Sequence, residues 1–237
     1  WEAPSFKIVG KGMPPMVDAG FDFYAPQSFE DAAGRRLMIG WSGCPDATAK
    51  SPTVARGWQC ALTVPRKLSM RDGKLCQQPV HEIERMRGDC VCATGGETVE
   101  EPGRLFDLVV SCEGAQVIEL EIRKGVFVRY ADGMLTLDMG DEGYGRDQRS
   151  IELSELRDLR VLSDTTMVEI FANGGEPYLF AGGSGDGAAR RGCGIDEFLP
   201  PRALTVRGAR LDLLDGMCRS CRGQLPLTAY SDRLWNK

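Results

Sequence analysis

The chain has 237 residues, 42% of them apolar and 27% charged, enough to bury a substantial core. Its formal net charge of −5 excludes a nucleic-acid binder, whose phosphate contacts need a basic face. No apolar run approaches the ~20 residues that span a bilayer, and no secretory leader pattern opens the sequence, so no membrane partner is expected.

The first residue is Trp1 rather than Met, which leads us to expect an upstream piece. Three strand candidates follow: "FDFYAPQSF" (21–29), "RRLMIGWSG" (35–43) and "WQCALTVPR" (58–66), joined by stretches rich in Gly, Pro and Asp. Consecutive antiparallel strands of this kind make one blade of a propeller, and a lone blade cannot bury both faces. Arg71-Asp72-Gly73-Lys74 reads as a turn. "PVHEIERMRG" is the best helix candidate, with Pro79 in the first turn, Ile83 and Met86 on one face and Gly88 at the end. Beyond it the hydrophobic period is two. Ile118, Leu120 and Ile122 alternate with Glu119, Glu121 and Arg123, and Leu135, Leu137 and Met139 with Thr136 and Asp138. Lys124-Gly125, Asp132-Gly133 and Asn173-Gly174-Gly175 punctuate these strands. "LRVLSDTTMVEIFANGGEPYLFAGG" reads as three strands, with a turn at Ser163-Asp164 and a hairpin. Such spacing suggests a sandwich or barrel, and the fold class is all-β. The Gly-rich stretch 181–194 reads as a flexible loop.

Nine cysteines, several inside apolar runs, fit reduced thiols in a cytoplasmic protein. Cys218 and Cys221 have metal-ligand spacing but no second matching pair, and His81 is the sole histidine, so no metal or other cofactor is expected. Carboxylates are the more available catalysts. Aromatic rings beside acids suit a sugar, whose C–H face stacks on a ring and whose hydroxyls bond to carboxylates. Asp18 and Asp22, four apart, are candidate hydroxyl acceptors, and Trp41 stands at the end of an apolar strand. The same string of aromatics also fits a core strand, and an Asp near Gly also fits a turn.

Three ordered stretches sharpen this reading. "VDAGFDFYAPQSFED" with "GRRLMIGWSG", then "ALTVPRKLSMRDGKLCQQPVHEIERMRG", then "GRDQRSIELSELRDLRVLSDTTMVEIFANGGE" together resemble glycoside hydrolase family 32, the β-fructosidases. The resemblance implies the last blade or blades of a five-bladed β-propeller followed by a β-sandwich. The implied boundaries are 1–78 for the propeller end, 79–88 for a linker helix, 89–215 for the sandwich and 216–237 for a tail. It implies retaining hydrolysis of β-fructofuranosyl bonds in sucrose, sucrose 6-phosphate or fructans, with a nucleophilic Asp and an acid/base Glu ~5–5.5 Å apart.

The family's Trp-x-Asn-Asp-Pro-Asn-Gly and Arg-Asp-Pro motifs do not occur in this chain. "WEAPS" echoes the acid/base motif, with Glu2 in place, but its distance from Asp22 fits better a strand before the blade. By the resemblance, Trp41 lines the fructose subsite, Asp18 and Asp22 fall near the pocket rim, and Tyr24 reads either as blade core or as a residue that touches the ligand. The expected partners are a fructose-containing carbohydrate and either a second copy or the missing propeller half. Three readings follow: the carboxy-terminal part of a hydrolase, inactive alone; a non-catalytic fructan-binding or interaction module; or a β-rich structural domain. Arg35-Arg36 is too common a pair to argue for a phosphate substrate.

Overall fold

The structure is a computed structural model that describes residues 16–43, 52–87, 90–91, 98–100, 105–176, 178–182, 203–207 and 229–230. The first sheet is built from β1 (Tyr24–Glu30), β2 (Arg36–Ser42), β3 (Ala61–Leu62), β4 (Arg66–Arg71) and β5 (Lys74–Pro79). Its order is β1-β2-β4-β5, with β3 pairing to β2, and all pairs are antiparallel. The turn at Asp72-Gly73 joins two full strands, β4 and β5. Both turn residues take left-handed φ, 50° and 75°, as a two-residue hairpin matched to strand twist requires. Only two residues of 58–66 pair as a separate strand. Cys60 has a φ of 65°, off the extended backbone, and Arg66 already belongs to β4.

The remaining strands are β6 (Cys90–Val91), β7 (Thr98–Glu100), β8 (Phe106–Ser111), β9 (Ile118–Arg123), β10 (Val126–Ala131) and β11 (Met134–Asp138). They continue with β12 (Gln148–Glu152), β13 (Asp158–Ser163), β14 (Met167–Ala172), β15 (Tyr178–Gly182), β16 (Ala203–Arg207) and β17 (Ala229–Tyr230). They form a six-stranded sheet β12-β11-β10-β9-β16-β7, a four-stranded sheet β15-β14-β13-β8, and a two-stranded ladder β17-β6. The protein is all-β, and its described helices are short 3₁₀ turns. The period-two pattern explains the burial. Leu120, Ile122, Val128, Leu135 and Leu137 of the six-stranded sheet meet Leu108, Val110, Leu159, Val161 and Ile170 of the four-stranded sheet in one cluster. Their alternate neighbours on β9 and β11 are only partly buried, except Arg123 at the end of β9, which is buried and donates to Ser163 and the Met167 carbonyl.

β14 departs from the alternation, since all six of its residues are buried. Val168, Ile170 and Ala172 join the shared core, while Phe171 on the other face packs with Leu162, Val64 and Ile83. The four-stranded sheet is therefore covered on its second face by the first sheet and the segment that follows it. That segment is a 3₁₀ helix over His81–Met86, shorter than the helix expected over 79–88. Pro79 does not enter a helical turn. It ends β5 opposite Arg66, and Val80 is extended (φ −60°, ψ 142°), so the turn starts late. Gly88, most of the Gly-rich stretch and the tail apart from Ala229–Tyr230, including Cys218 and Cys221, lie outside the described residues.

Leu120 is fully buried where the two sheets meet. Leu120→Ala is expected to lower unfolding stability by about 2–5 kcal/mol, read as a fall in the urea midpoint at unchanged slope.

Candidate functional site

The segment 18–24 leads into β1 and touches both halves of the molecule. Ala19 and Phe21 pack against the shared core, and Arg149 lies 4.9 Å over the Phe21 ring. Asp22 is 2% exposed and is held by Arg146, whose Nη2 donates to Oδ1 at 3.0 Å while Nε donates to Oδ2. Arg146 follows the 3₁₀ turn Gly140–Gly143 between β11 and β12, so this pair ties β1 to the six-stranded sheet.

Asp18 is engaged in the same way. Arg66 Nη1 donates to Asp18 Oδ2 at 2.9 Å and to Gln77 Oε1 at 3.0 Å. Arg66 Nη2 and Nε reach Glu169 Oε2 on β14 at 2.8 and 3.2 Å. Glu169 Oε1 accepts the Val64 backbone N–H at 2.7 Å. The guanidinium lies 4.7 Å over the Phe23 ring and 5.6 Å from that of Phe171, and Arg66 is 1% exposed. Burial alone would draw the Arg66 proton off, but Glu169 and Asp18 outweigh it and hold the guanidinium cationic. Burial pushes the Glu169 carboxyl above its ordinary range, against the pull of Arg66 and the Val64 N–H.

Phe23 also dictates the glycine before Trp41. A Cβ at Gly40 would lie 2.2 Å from the Phe23 ring. Gly40 donates its N–H to Thr63 Oγ1 at 3.0 Å, and its carbonyl accepts the Thr63 N–H at 2.9 Å. Trp41 follows. It sits opposite Tyr24 on β1 and Leu62 on β3, so the three side chains form one cross-strand row on one face. The Tyr24 and Trp41 rings meet edge to face, 6.0 Å apart at 71°. Tyr24 is 50% exposed, so it is no core residue, and Trp41 is half-buried. A Cβ at Gly43 would strike both the indole, at 2.9 Å, and Cys60 Sγ, at 2.7 Å, so that glycine lets the ring lie against the backbone. The row is an accessible aromatic shelf at the end of β2.

The chain is similar to known proteins. The Glycosyl hydrolases family 32 N-terminal domain matches residues 2–79, which include the whole shelf and Arg66. Sucrose-6-phosphate hydrolase of Salmonella typhimurium is 34% identical over 170 residues, 68% of this chain and 34% of that protein. Raffinose invertase of Escherichia coli is 36% identical over 194 residues, 71% of this chain and 38% of that protein. The chain belongs to glycosyl hydrolase family 32. It spans about a third of the length of the curated relatives it matches. The fold of sucrose-6-phosphate hydrolase from Lactobacillus gasseri superposes with a TM-score of 0.70 at 21% identity, covering 92% of this chain and 43% of that one.

Of the residues singled out in the sequence, the structure brings Tyr24 and Trp41 together and separates them in role from Asp18 and Asp22. Both carboxylates are buried on arginines, Asp18 on Arg66 and Asp22 on Arg146. Glu2 lies outside the described residues. The functional partners that the sequence did not disclose are Arg66, Glu169 and Arg146. The one signal that could have found Glu169 is its place in "MVEIFA", where an acid interrupts an otherwise apolar strand. One further group is a poor catalyst. Cys112 is fully buried, and burial pushes its thiol up to about 12. A cavity of about 290 Å³ at the seam is lined by apolar side chains such as Leu62, Val64, Ile83 and Phe106 together with the charged Arg87 and Glu169.

On the surface, Arg35 bridges Asp31 and Glu82, tying the β1–β2 turn to the 3₁₀ helix. Its hydrogen bond holds the Glu82 carboxyl down at about 2. A depressed carboxyl stabilises the fold above its unfolded value, and that contribution fades as pH falls through the folded one. The Glu82 side-chain carbon resonance is expected to titrate with a midpoint near 2, moving up to the ordinary range in Arg35→Ala. In the core of the site, Arg66→Met leaves Glu169 and Asp18 buried without their cation, and should cost about 3–5 kcal/mol of unfolding free energy in urea.

Proposed function

We propose that this chain forms the carboxy-terminal part of a retaining β-fructofuranosidase, acting on sucrose, sucrose 6-phosphate or a fructan. The observation that carries the reading is the Tyr24–Trp41 shelf, held open at a strand end within the stretch that matches the family. Trp41 offers the stacking face for a fructosyl ring, with Tyr24 at its edge. Asp18 and Asp22 serve the sugar indirectly by fixing the backbone that presents these rings. The first sheet is read as the last blade of a five-bladed propeller over residues 1–78, and 79–88 as the linker. The two sheets that share a core are read as a β-sandwich over 89–215, with a tail over 216–237. The end of β5 at Pro79 and the single core joining the two later sheets support this division.

Retaining hydrolysis needs two carboxyl groups ~5–5.5 Å apart, one attacking the anomeric carbon and one protonating the leaving oxygen. Among the described residues no carboxylate pair stands over the shelf in that role, since Asp18 and Asp22 are committed to Arg66 and Arg146. The family's nucleophile motif is also absent from the 237 residues. Catalysis on this reading therefore needs residues supplied by the remainder of the propeller. All seven residues of β1 are exposed, and β1 ends its sheet, so its outer edge is the place where that remainder or a second copy would join. The commitment of both acids to arginines favours one alternative, a module that binds fructans without cleaving them.

The deciding experiment measures sucrose, sucrose 6-phosphate and inulin hydrolysis by this chain alone and by the full reading frame that contains it, each with and without Trp41→Ala. Activity in the longer protein only, lowered at least tenfold by Trp41→Ala, is the expected result. Turnover by the chain alone would overturn the assignment of the carboxylates. Fructan binding with no turnover in either form would establish the binding module.

A further inference from the structure

Glu169 lies on β14 of the four-stranded sheet, 128 residues after Trp41. A continuous set of contacts nevertheless joins them. Glu169 takes two donors of the Arg66 guanidinium, at 2.8 and 3.2 Å, and the Val64 N–H, at 2.7 Å. The guanidinium lies over the Phe23 ring at 4.7 Å. That ring fills the space a side chain at Gly40 would need. Gly40 is bonded to Trp41, and Phe23 to Tyr24. The Val64 branch runs the same way, because neighbouring Thr63 bonds Gly40 through its backbone N–H and its hydroxyl. Two routes from one carboxylate thus converge on the dipeptides that carry the shelf.

We propose that Glu169 is a positioning residue for Trp41, acting through Arg66–Phe23 and Val64–Thr63, so that the later half of the chain sets the posture of the aromatic shelf. The inference rests on the shelf being the sugar-stacking surface. Fixed geometry is its physical content. A guanidinium held by carboxylates on two sides cannot tilt, and the ring stacked beneath it cannot slide. An apolar contact at the same place would hold the sheets together but leave the ring free to move. Ile170 provides the internal control. It is on the same strand, equally buried, and faces the shared core away from Arg66.

The test incorporates 5-fluorotryptophan into the 237-residue chain, with Trp41→Phe assigning the Trp41 fluorine resonance. Unfolding midpoints are measured for every variant. Glu169→Gln keeps the size but removes the charge and one of the two acceptor oxygens, and it is expected to shift or broaden the Trp41 resonance. Ile170→Ala, at equal or greater loss of stability, is expected to leave it in place. Titration with fructose and with sucrose then reads the shelf as a ligand surface, with affinity falling roughly two- to thirtyfold in Glu169→Gln. If Ile170→Ala moves the Trp41 resonance as much as Glu169→Gln, or Glu169→Gln does not move it, Glu169 is only a structural residue and the inference fails. If Glu169→Gln moves the resonance but neither sugar does, the positioning role stands and the sugar-binding reading fails. Should Glu169→Gln not fold, the same comparison is made with Thr63→Val, which removes the hydroxyl branch alone.

Discussion

One buried cation organises this molecule. Arg66 is 1% exposed, and an unpaired charge at that depth is prohibitively costly. It is satisfied by groups from three distant segments: Asp18 before β1, Gln77 on β5 and Glu169 on β14. None of these can leave without exposing the others to the same penalty. The first sheet therefore cannot adopt its shape independently of the four-stranded sheet, and the segment leading to β1 cannot swing free of either. Asp22 with Arg146 repeats the device toward the six-stranded sheet, so the aromatic strand is pinned to all three sheets within five residues.

Much of the frame was legible in the sequence because it is local. Alternation over 118–123 and 134–139 places one face in a core, and the structure buries Ile118, Leu120, Ile122, Leu135 and Leu137 accordingly. Asp72-Gly73 and Asp132-Gly133 turn as such dipeptides must, with positive φ at both residues. The connector helix was legible only in part. Its pattern is helical, but Pro79 is claimed by the ladder to Arg66, and what remains is the 3₁₀ helix His81–Met86. The aromatic string at 20–29 mixes roles that composition cannot separate. Phe21 serves the core, Phe23 stacks on a guanidinium and Tyr24 faces outward.

The roles of the acids were not legible, and the reason is distance along the chain. Asp22 finds Arg146 across 124 residues, and Arg66 finds Glu169 across 103. An acid in a period-two strand ordinarily marks the solvent face, and "MVEIFA" invites that reading of Glu169. It fails because β14 has no solvent face. The same shift of meaning applies to Asp18 and Asp22. Residue type suggested acceptors for sugar hydroxyls, and in the fold both carboxylates accept from arginines. Chemistry capable of recognising a sugar is also chemistry capable of holding a guanidinium, and only the tertiary arrangement distinguishes the two.

An ion pair is a poor choice if cohesion alone is required. Exchanging a buried charge network for apolar side chains of like volume is often neutral or stabilising, because desolvation offsets the Coulomb attraction. What apolar contacts do not supply is direction. Leu162, Phe171, Val64 and Ile83 already provide an apolar seam beside Arg66, and that seam would tolerate small sliding motions. A planar fork bonded to Glu169, Asp18 and Gln77 and stacked on Phe23 does not tolerate them. The position of such a constraint is informative. It lies beneath the strand that carries Tyr24 and the glycine that precedes Trp41, where, on the proposed reading of the shelf, an ångström of slippage would misplace two rings against a sugar. On the proposed role of Glu169, what the later half of the chain contributes to the aromatic surface is a fixed orientation.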